Sequence, residues 1–162
     1  MEDFASPALR RLLEAFPGAV LATHAQCGDA TALVDAGRVV EILRFLRDER
    51  GLEFEMLMDL TAVDHLGRAP RFEVVYHLYS LSRNQRVRVK AGVPESPCQI
   101  DSAVALWPAA DWMEREVWDL YGIRFRNHPD LRRILLYEEF EGHPLRKDYP
   151  KERRQPLVGP GN

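Results

Sequence analysis

The chain has 162 residues, with 22 lysines and arginines against 25 aspartates and glutamates, and 46% of its residues are apolar. This apolar content excludes a chain that is disordered throughout, and the length predicts one domain with a single core. No apolar run approaches the roughly 20 residues that a membrane-spanning helix needs. The start of the chain lacks the basic and apolar regions of a secretory signal, so we expect a cytoplasmic location.

Only two cysteines are present, Cys27 and Cys98, and they do not form a CxxC motif. A cysteine-ligated iron–sulfur cluster needs about four thiolates, and a structural zinc site needs about four cysteine or histidine ligands at short spacings. We therefore expect that this chain holds no cluster of its own.

The body of the chain alternates between helical and strand patterns. Apolar residues at helical spacing predict helices over 7–16, 38–50, 102–107 and 112–121. Alternating and β-prone runs predict strands over 19–23, 31–34, 54–60, 71–81 and 86–90. Because the strands follow one another through short links, they favour a mixed, mostly antiparallel sheet. The predicted fold class is α+β, with two layers and the helices on one face of the sheet.

The composition changes near residue 124. Nine basic and six acidic residues lie in 124–154, and five of the 11 prolines lie at or after Pro129. Proline removes a backbone donor and fixes φ, so this stretch is a poor candidate for long helices or central strands. We predict an α+β domain over 1–123 and an extended, basic C-terminal arm over 124–162. Such an arm cannot bury enough of its own apolar surface to be stable alone, so we expect it to pack on partner subunits.

The charged residues of the last predicted helix leave two interpretations open. Glu116 and Asp119 share a helix face and His128 follows them, which an independent metal-dependent hydrolase could use. Glu114 does not join that face and the helix carries no histidine, so a solvated or ion-paired helix face is favoured instead. Nucleic-acid binding is disfavoured because the chain is acidic overall. From these residues alone, a binding module is the first hypothesis and an enzyme the second.

Three stretches in the last third of the chain carry a specific resemblance. They read WMEREVWDLYGIRF over 112–125, HPDLRRIL over 128–135 and EGHPLRKDYP over 141–150. Together they resemble the signature of the C subunit of the proton-pumping NADH:quinone oxidoreductase, respiratory complex I. The preceding α/β body has that family's size and element order. Related subunits occur in membrane-bound hydrogenases and in ferredoxin- or F420-dependent complexes, and the motif separates these poorly.

The resemblance implies a subunit on the cytoplasmic side of the inner membrane, associated with the membrane only through the complex. That complex passes electrons from NADH to quinone and translocates protons, whereas the isolated chain is expected not to be catalytic. The FMN and the iron–sulfur clusters would reside in partner subunits. The expected partners are the D subunit, which forms the quinone site, and the adjacent subunit that carries the terminal cluster. The chain resembles the form that is not fused to the D subunit.

By the same resemblance, the motif residues are expected to hold the arm and the neighbouring subunits. Those on the last predicted helix are Glu114, Arg115, Glu116, Asp119 and Tyr121. Those downstream are His128, Arg132, Arg133, His143, Arg146 and Lys147. No catalytic, cofactor-binding or metal-binding residue is expected in this chain.

Overall fold

A computed structural model describes residues 6–152 and 154–155. The first five residues and the end of the predicted arm, 153 and 156–162, lie outside the described residues. Three α-helices are present in the described part: α1 (Pro7–Ala15), α2 (Val39–Asp48) and α3 (Ala110–Tyr121). None of the described helices has the length and apolar character needed to cross a lipid bilayer.

Seven strands accompany these helices. They are β1 (Val20–His24), β2 (Thr31–Val34), β3 (Met56–Asp64), β4 (Phe72–Ser80), β5 (Gln85–Val93), β6 (Gln99–Asp101) and β7 (Arg124–Arg126). The first five form one sheet in the order β1-β2-β5-β4-β3. Only β2 and β5 pair in parallel in that sheet, whereas the other neighbours are antiparallel. The mixed, mostly antiparallel sheet predicted from the sequence is confirmed.

The two faces of the sheet differ in character. On one face, side chains that lie opposite each other are buried, such as Tyr76 of β4 and Val89 of β5. These residues form one hydrophobic cluster with the buried sides of α1, α2 and α3. The other face carries polar and half-buried side chains, including the Lys90–Glu73 ion pair. The two-layer arrangement, with helices on one face, follows from this difference.

The predicted helix over 102–107 is wrong. This stretch is a series of turns, held partly by a hydrogen bond from the amide of Trp107 to the carbonyl of Ala103. The amide of Ser102 donates to the carbonyl of Arg126, at 2.9 Å, and extends the pairing between β6 and β7. At the other end, Pro108 disfavours the helical conformation of Trp107 before it. The turns connect β6 to α3, and we refer to 102–109 as the β6–α3 connection.

The short parallel pair of β6 and β7 was not predicted from the sequence. Its register places Ile100 opposite Phe125, and both side chains are buried. The segment predicted as an arm from residue 124 therefore begins as a paired strand. Beyond β7 the described residues form turns and extended backbone without helix or strand.

Candidate functional site: the seat of the C-terminal arm

The buried carboxylate of Asp119, on α3, binds one short stretch of the C-terminal arm. Its Oδ1 accepts a hydrogen bond from the Arg133 guanidinium at 2.6 Å. Its Oδ2 accepts from the amides of Ile134, Leu135 and Leu136 at 3.2, 2.9 and 2.9 Å. Burial opposes ionisation, but the amide of Leu136 and the guanidinium of Arg133 lower the pKa of Asp119. One charged group thus accepts four hydrogen bonds from a segment that has no helix or sheet hydrogen bonds of its own.

Two arginines add contacts between α3 and the arm, and together with Asp119 they form what we call the seat of the arm. Arg115 of α3 donates to the carbonyls of Arg132 and Arg133 at 3.2 and 3.1 Å. The guanidinium of Arg133 reaches further along the arm, to the carbonyls of Phe140 and Gly142 at 2.7 and 3.3 Å. Both side chains therefore fold the arm into a compact loop against α3.

The arm also covers the end of α3. The last carbonyl groups of a helix have no partner within the helix, and cations near them are favourable. Here three of them receive donors from the arm: His143 Nδ1 at 2.9 Å from Asp119 O, Leu145 N at 3.0 Å from Leu120 O, and Arg146 Nε at 2.5 Å from Tyr121 O. Burial lowers the pKa of His143, so this imidazole is neutral at neutral pH and donates from Nδ1.

Gly122 makes this close approach possible. It ends α3 in the left-handed conformation, with φ of 74°. A Cβ atom at this position would lie 2.5 Å from Cδ2 of His143 and 2.9 Å from a guanidinium nitrogen of Arg146. The glycine is therefore required both by the backbone conformation and by the arm that lies on it.

A third contact lies at the end of the β3–β4 hairpin. The buried guanidinium of Arg71 binds the carboxylate of Asp64 through two hydrogen bonds, at 2.9 and 3.0 Å. The same guanidinium binds Asp148 of the arm, at 2.7 and 3.0 Å, and Glu95 at 2.6 Å. Asp64 also accepts from the amide of Lys147 at 2.8 Å. Hydrogen bonding to Arg71 lowers the pKa of both Asp64 and Asp148.

Three of the predicted residues have smaller roles in this seat. The His128 side chain is buried, with Nε2 3.2 Å from the carbonyl of Asp111 and Nδ1 accepting from the amide of Asp130. Arg132 is exposed and pairs with Asp130 at 2.9 Å. Lys147 contributes its amide, whereas its side chain is exposed.

Glu116 is solvated and Asp119 is ion-paired with Arg133, as expected for the face they share, whereas Glu114 lies off that face. Glu114 is fully buried and points inwards, where it binds the amide of Ala103 at 2.6 Å, and only Glu116 is exposed. Two residues named for the hydrolase hypothesis have other partners: Asp119 binds the arm and His128 binds the carbonyl of Asp111. No group of three potential metal ligands occurs among the described residues.

Sequence reasoning missed the Arg71 contact. Asp64 ends β3 and Arg71 precedes β4, so the two residues stand at the paired ends of one hairpin. Opposite charges flanking a hairpin loop are a signal that could have indicated this ion pair. The contributions of Glu95 and Asp148 carry no comparable signal, because they are distant in sequence.

We expect Asp119→Asn to release the arm. The substitution removes the charge that binds the Arg133 guanidinium and the amides 134–136, so the free energy of unfolding should fall by about 3 kcal/mol. Trypsin digestion of the full chain should then cut within 126–146 sooner than in the wild type. The control is Glu116→Gln, the same change of charge at an exposed position of α3. Equal digestion of the two variants would contradict the assigned role of Asp119.

We expect Gly122→Ala to destabilise the chain more than Gly51→Ala does. Both glycines have positive φ, of 74° and 93°, so both substitutions carry a backbone cost of about 1–2 kcal/mol. Space for a Cβ is open at Gly51 but blocked by His143 at Gly122. The difference between the two unfolding free energies, from urea denaturation, measures the displacement of the arm. Equal losses would show that the arm does not press on Gly122.

We expect Arg71→Ala to cost about 3–5 kcal/mol of unfolding free energy, because it leaves Asp64 buried without a counter-charge. Arg83→Ala serves as the control, since the Arg83–Glu53 pair is exposed and should contribute little to stability. Urea denaturation at low ionic strength measures both. A loss at Arg71 no larger than that at Arg83 would contradict the view that the guanidinium organises this contact.

Comparisons with known proteins agree with this architecture. Residues 32–155 match the family model described as the 30 kDa subunit of respiratory-chain NADH dehydrogenase. The C subunit of NADH-quinone oxidoreductase from Citrifermentans bemidjiense is 49% identical over 154 residues, covering 94% of each chain. The same subunit from Geobacter metallireducens is 50% identical, over 95% of this chain and 91% of the relative.

Two solved structures are similar to the fold. One is the trypsin-resistant fragment (1-134) of Nqo5, with a TM-score of 0.67 and 32% identity over 76% of this chain and 99% of the fragment. The other belongs to the archaeal membrane-bound sulfane sulfur reductase, with a TM-score of 0.76 and 23% identity over 89% of this chain and 84% of that one. The second likeness concerns the fold alone. The family match and the two relatives show that this chain belongs to the C-subunit family of NADH-quinone oxidoreductase, the 30 kDa subunit of respiratory complex I.

Proposed function

We propose that this chain is a structural subunit of the peripheral part of the complex, on the cytoplasmic side of the membrane. In this role it carries no redox cofactor, and the FMN and the iron–sulfur clusters belong to partner subunits. Its two cysteines are too few to ligate a cluster. Its contribution to NADH:quinone reduction is to hold the quinone-reducing module in position, and it contacts the membrane only through the complex.

The outward surface of the arm and of α3 carries this proposal. Trp112, Leu135 and Leu145 are 63%, 62% and 50% exposed, although each is large and apolar. They lie on or beside a segment whose inner side is bound by Asp119 and by the end of α3. Because the inner side is anchored, the outer side is presented in a fixed conformation. A preorganised apolar surface with Trp and Arg side chains is typical of a permanent protein interface.

We assign two chains as the partners that this surface contacts: the quinone-site D subunit, and the neighbouring subunit that carries the terminal cluster. The support is the resemblance of the motif over 112–150, together with the exposure of its apolar side chains. Motif residues divide accordingly between two tasks. Those that hold the arm within the chain are Asp119, Arg133, His143 and Arg146, whereas Glu116 and Arg132 remain exposed and available to a partner.

The second candidate is the equivalent subunit of a hydrogenase or of a ferredoxin- or F420-dependent complex. The motif over 112–150 separates these complexes poorly, but the two relatives at 49% and 50% identity favour NADH as the electron donor. Affinity purification through this chain, followed by assays with NADH and with reduced ferredoxin, distinguishes the two. Oxidation of ferredoxin but not of NADH by the purified complex would contradict the first candidate.

We expect the double substitution Trp112→Ala and Leu135→Gln to impair assembly while the chain stays folded. Removing two interface anchors should lower the amount of assembled complex in membranes about tenfold or more, because such anchors contribute on the order of 1 kcal/mol or more each. Native gels and NADH:quinone activity of membranes measure this effect. The unfolding free energy of the purified chain should change by less than about 1 kcal/mol, since both side chains are exposed.

The matched control is Leu21→Ala with Leu81→Gln, which alters two apolar side chains that are 61% and 64% exposed away from the arm. These changes should leave assembly at the wild-type level. Equal loss of complex in both double variants would show that the arm surface has no special role. Wild-type assembly in the first variant would contradict the proposed interface directly.

A further inference from the structure

The inner side of α3 carries a second buried carboxyl group, that of Glu114. Its Oε1 accepts a hydrogen bond from the amide of Ala103, at 2.6 Å, and, against the larger effect of burial, the nearby Ser102 side chain lowers the pKa of Glu114. Its Oε2 is buried and has no hydrogen-bond partner among the described residues. The hydroxyl of Tyr76, in the middle of β4, is also buried and has no hydrogen-bond partner among the described residues. Burial raises the pKa of Tyr76 and the nearby Glu114 raises it further, so the two groups lie near one another in the interior.

The charged side chains around Glu114 do not provide a counter-charge for its carboxylate form. On α3 itself, the Asp111 carboxylate repels the charge of Glu114. On β6, Asp101 is acidic and is already paired with Arg126 of β7, at 2.9 Å. No lysine, arginine or histidine in the described part of the chain forms an ion pair with Glu114.

At two neighbouring elements, cationic side chains are bound to other groups. On β3, which packs against α3, the Asp64 carboxylate is bound to Arg71. From α2, Arg47 binds the carbonyl of Leu106 in the β6–α3 connection and pairs with Asp48. Glu114 therefore differs from Asp119 on the same helix, which has a guanidinium and three amides as donors.

We propose that Glu114 is a proton-binding site, and that its bound proton keeps the β6–α3 connection seated between the sheet and α3. An ionised Glu114 would be a buried charge with one oxygen that no donor reaches, which is costly unless the group is neutralised. The neutral acid keeps the hydrogen bond to Ala103 and removes the uncompensated charge. In agreement with this geometry, burial raises the pKa of Glu114 to about 7.

The site makes the fold sensitive to pH near neutrality. When Glu114 loses its proton, its charge can be hydrated only if the β6–α3 connection moves away from α3. Arg115, the next residue, binds the carbonyls of Arg132 and Arg133 in the arm. The proton site and the arm therefore share one turn of α3. This property belongs to the chain itself and does not depend on the proposed assembly.

Glu114→Gln tests the proposal, because glutamine imitates the neutral acid. In the wild type, the native state binds the proton more tightly than the unfolded chain, so stability is fully present below about pH 4.5 and decreases as the pH rises towards about 7. Relative to the variant, the folding equilibrium constant of the wild type should fall up to about tenfold per pH unit in this window. Urea denaturation of the full chain from pH 4.5 to 8.5 measures the difference.

The comparison with the variant removes the effect of the histidines. Burial lowers the pKa of His77 and of His143, so their contributions to stability change with pH in the opposite direction. They are present in both proteins and cancel in the difference. Glu116→Gln, at an exposed position of the same helix, should follow the wild type at every pH. A constant difference between wild type and Glu114→Gln across this range would overturn the proposal.

Carbon-13 NMR of glutamate side-chain carboxyl groups provides a test that needs no variant. The Glu114 carboxyl, assigned through its backbone, should titrate near neutral pH in the full-length wild type. The protection factor of the Ala103 amide against hydrogen exchange should decrease over the same range. A Glu114 carboxyl that titrates below about pH 5 would overturn the proposal, even if Glu114→Gln failed to fold.

Discussion

The C-terminal part of this molecule depends on one interaction, the binding of the arm by the buried carboxylate of Asp119. Backbone amides that leave a helix or a sheet need other acceptors, and an arm without regular structure has few. Asp119 supplies acceptors for three consecutive amides and for the Arg133 guanidinium. Arg133 then binds carbonyls further along the arm, so one charge indirectly orders the stretch 133–142. The arm needs this contact because its own apolar surface is too small to form a core.

Helix α3 carries two buried carboxyl groups whose surroundings are opposite in character. The Asp119 side chain faces the arm and receives enough donors to remain ionised, despite its burial. The Glu114 side chain faces the sheet, receives donors at one oxygen and lies near another acid. Burial opposes ionisation of both groups, and only Asp119 has enough donors to outweigh it. One helix thus holds an ionised anchor on one side and a group that favours its neutral form on the other.

The arrangement explains how a chain of this family can present a long segment to other subunits. The inner side of the arm contacts α3, the end of that helix and Arg71. Its outer side is left with large apolar groups such as Leu135. In the proposed role, the arm meets its partners already folded, which lowers the entropy that assembly must overcome. Sequence reasoning sought the support of the arm in another chain, whereas the structure provides the first support within this one.

Much of the fold could be predicted from the sequence, because it follows from local patterns. The apolar periodicity of α1, α2 and α3 and the alternating or β-prone runs of β3 to β5 depend on neighbouring residues. The predicted bounds of these elements agree with the observed ones to within four residues. The stretch 102–107 is not a helix, since Ser102 continues the β6–β7 pairing and Pro108 follows directly. The short strands β6 and β7 exist only through each other, and three residues carry too little signal alone.

For the site, the sequence by itself determined which charged residues cluster in the last third of the chain, and the motif that they form identified the family. Only the tertiary structure decided what each of them binds. The sequence places Glu114 and Asp119 on different faces of α3, but only the fold shows that one face meets the sheet and the other the arm. Arg71 and Asp148 form an ion pair across the fold, and no local sequence pattern indicates it. The physical reason is that periodicity records which face of an element is buried, whereas donors and counter-charges come from residues distant in the chain.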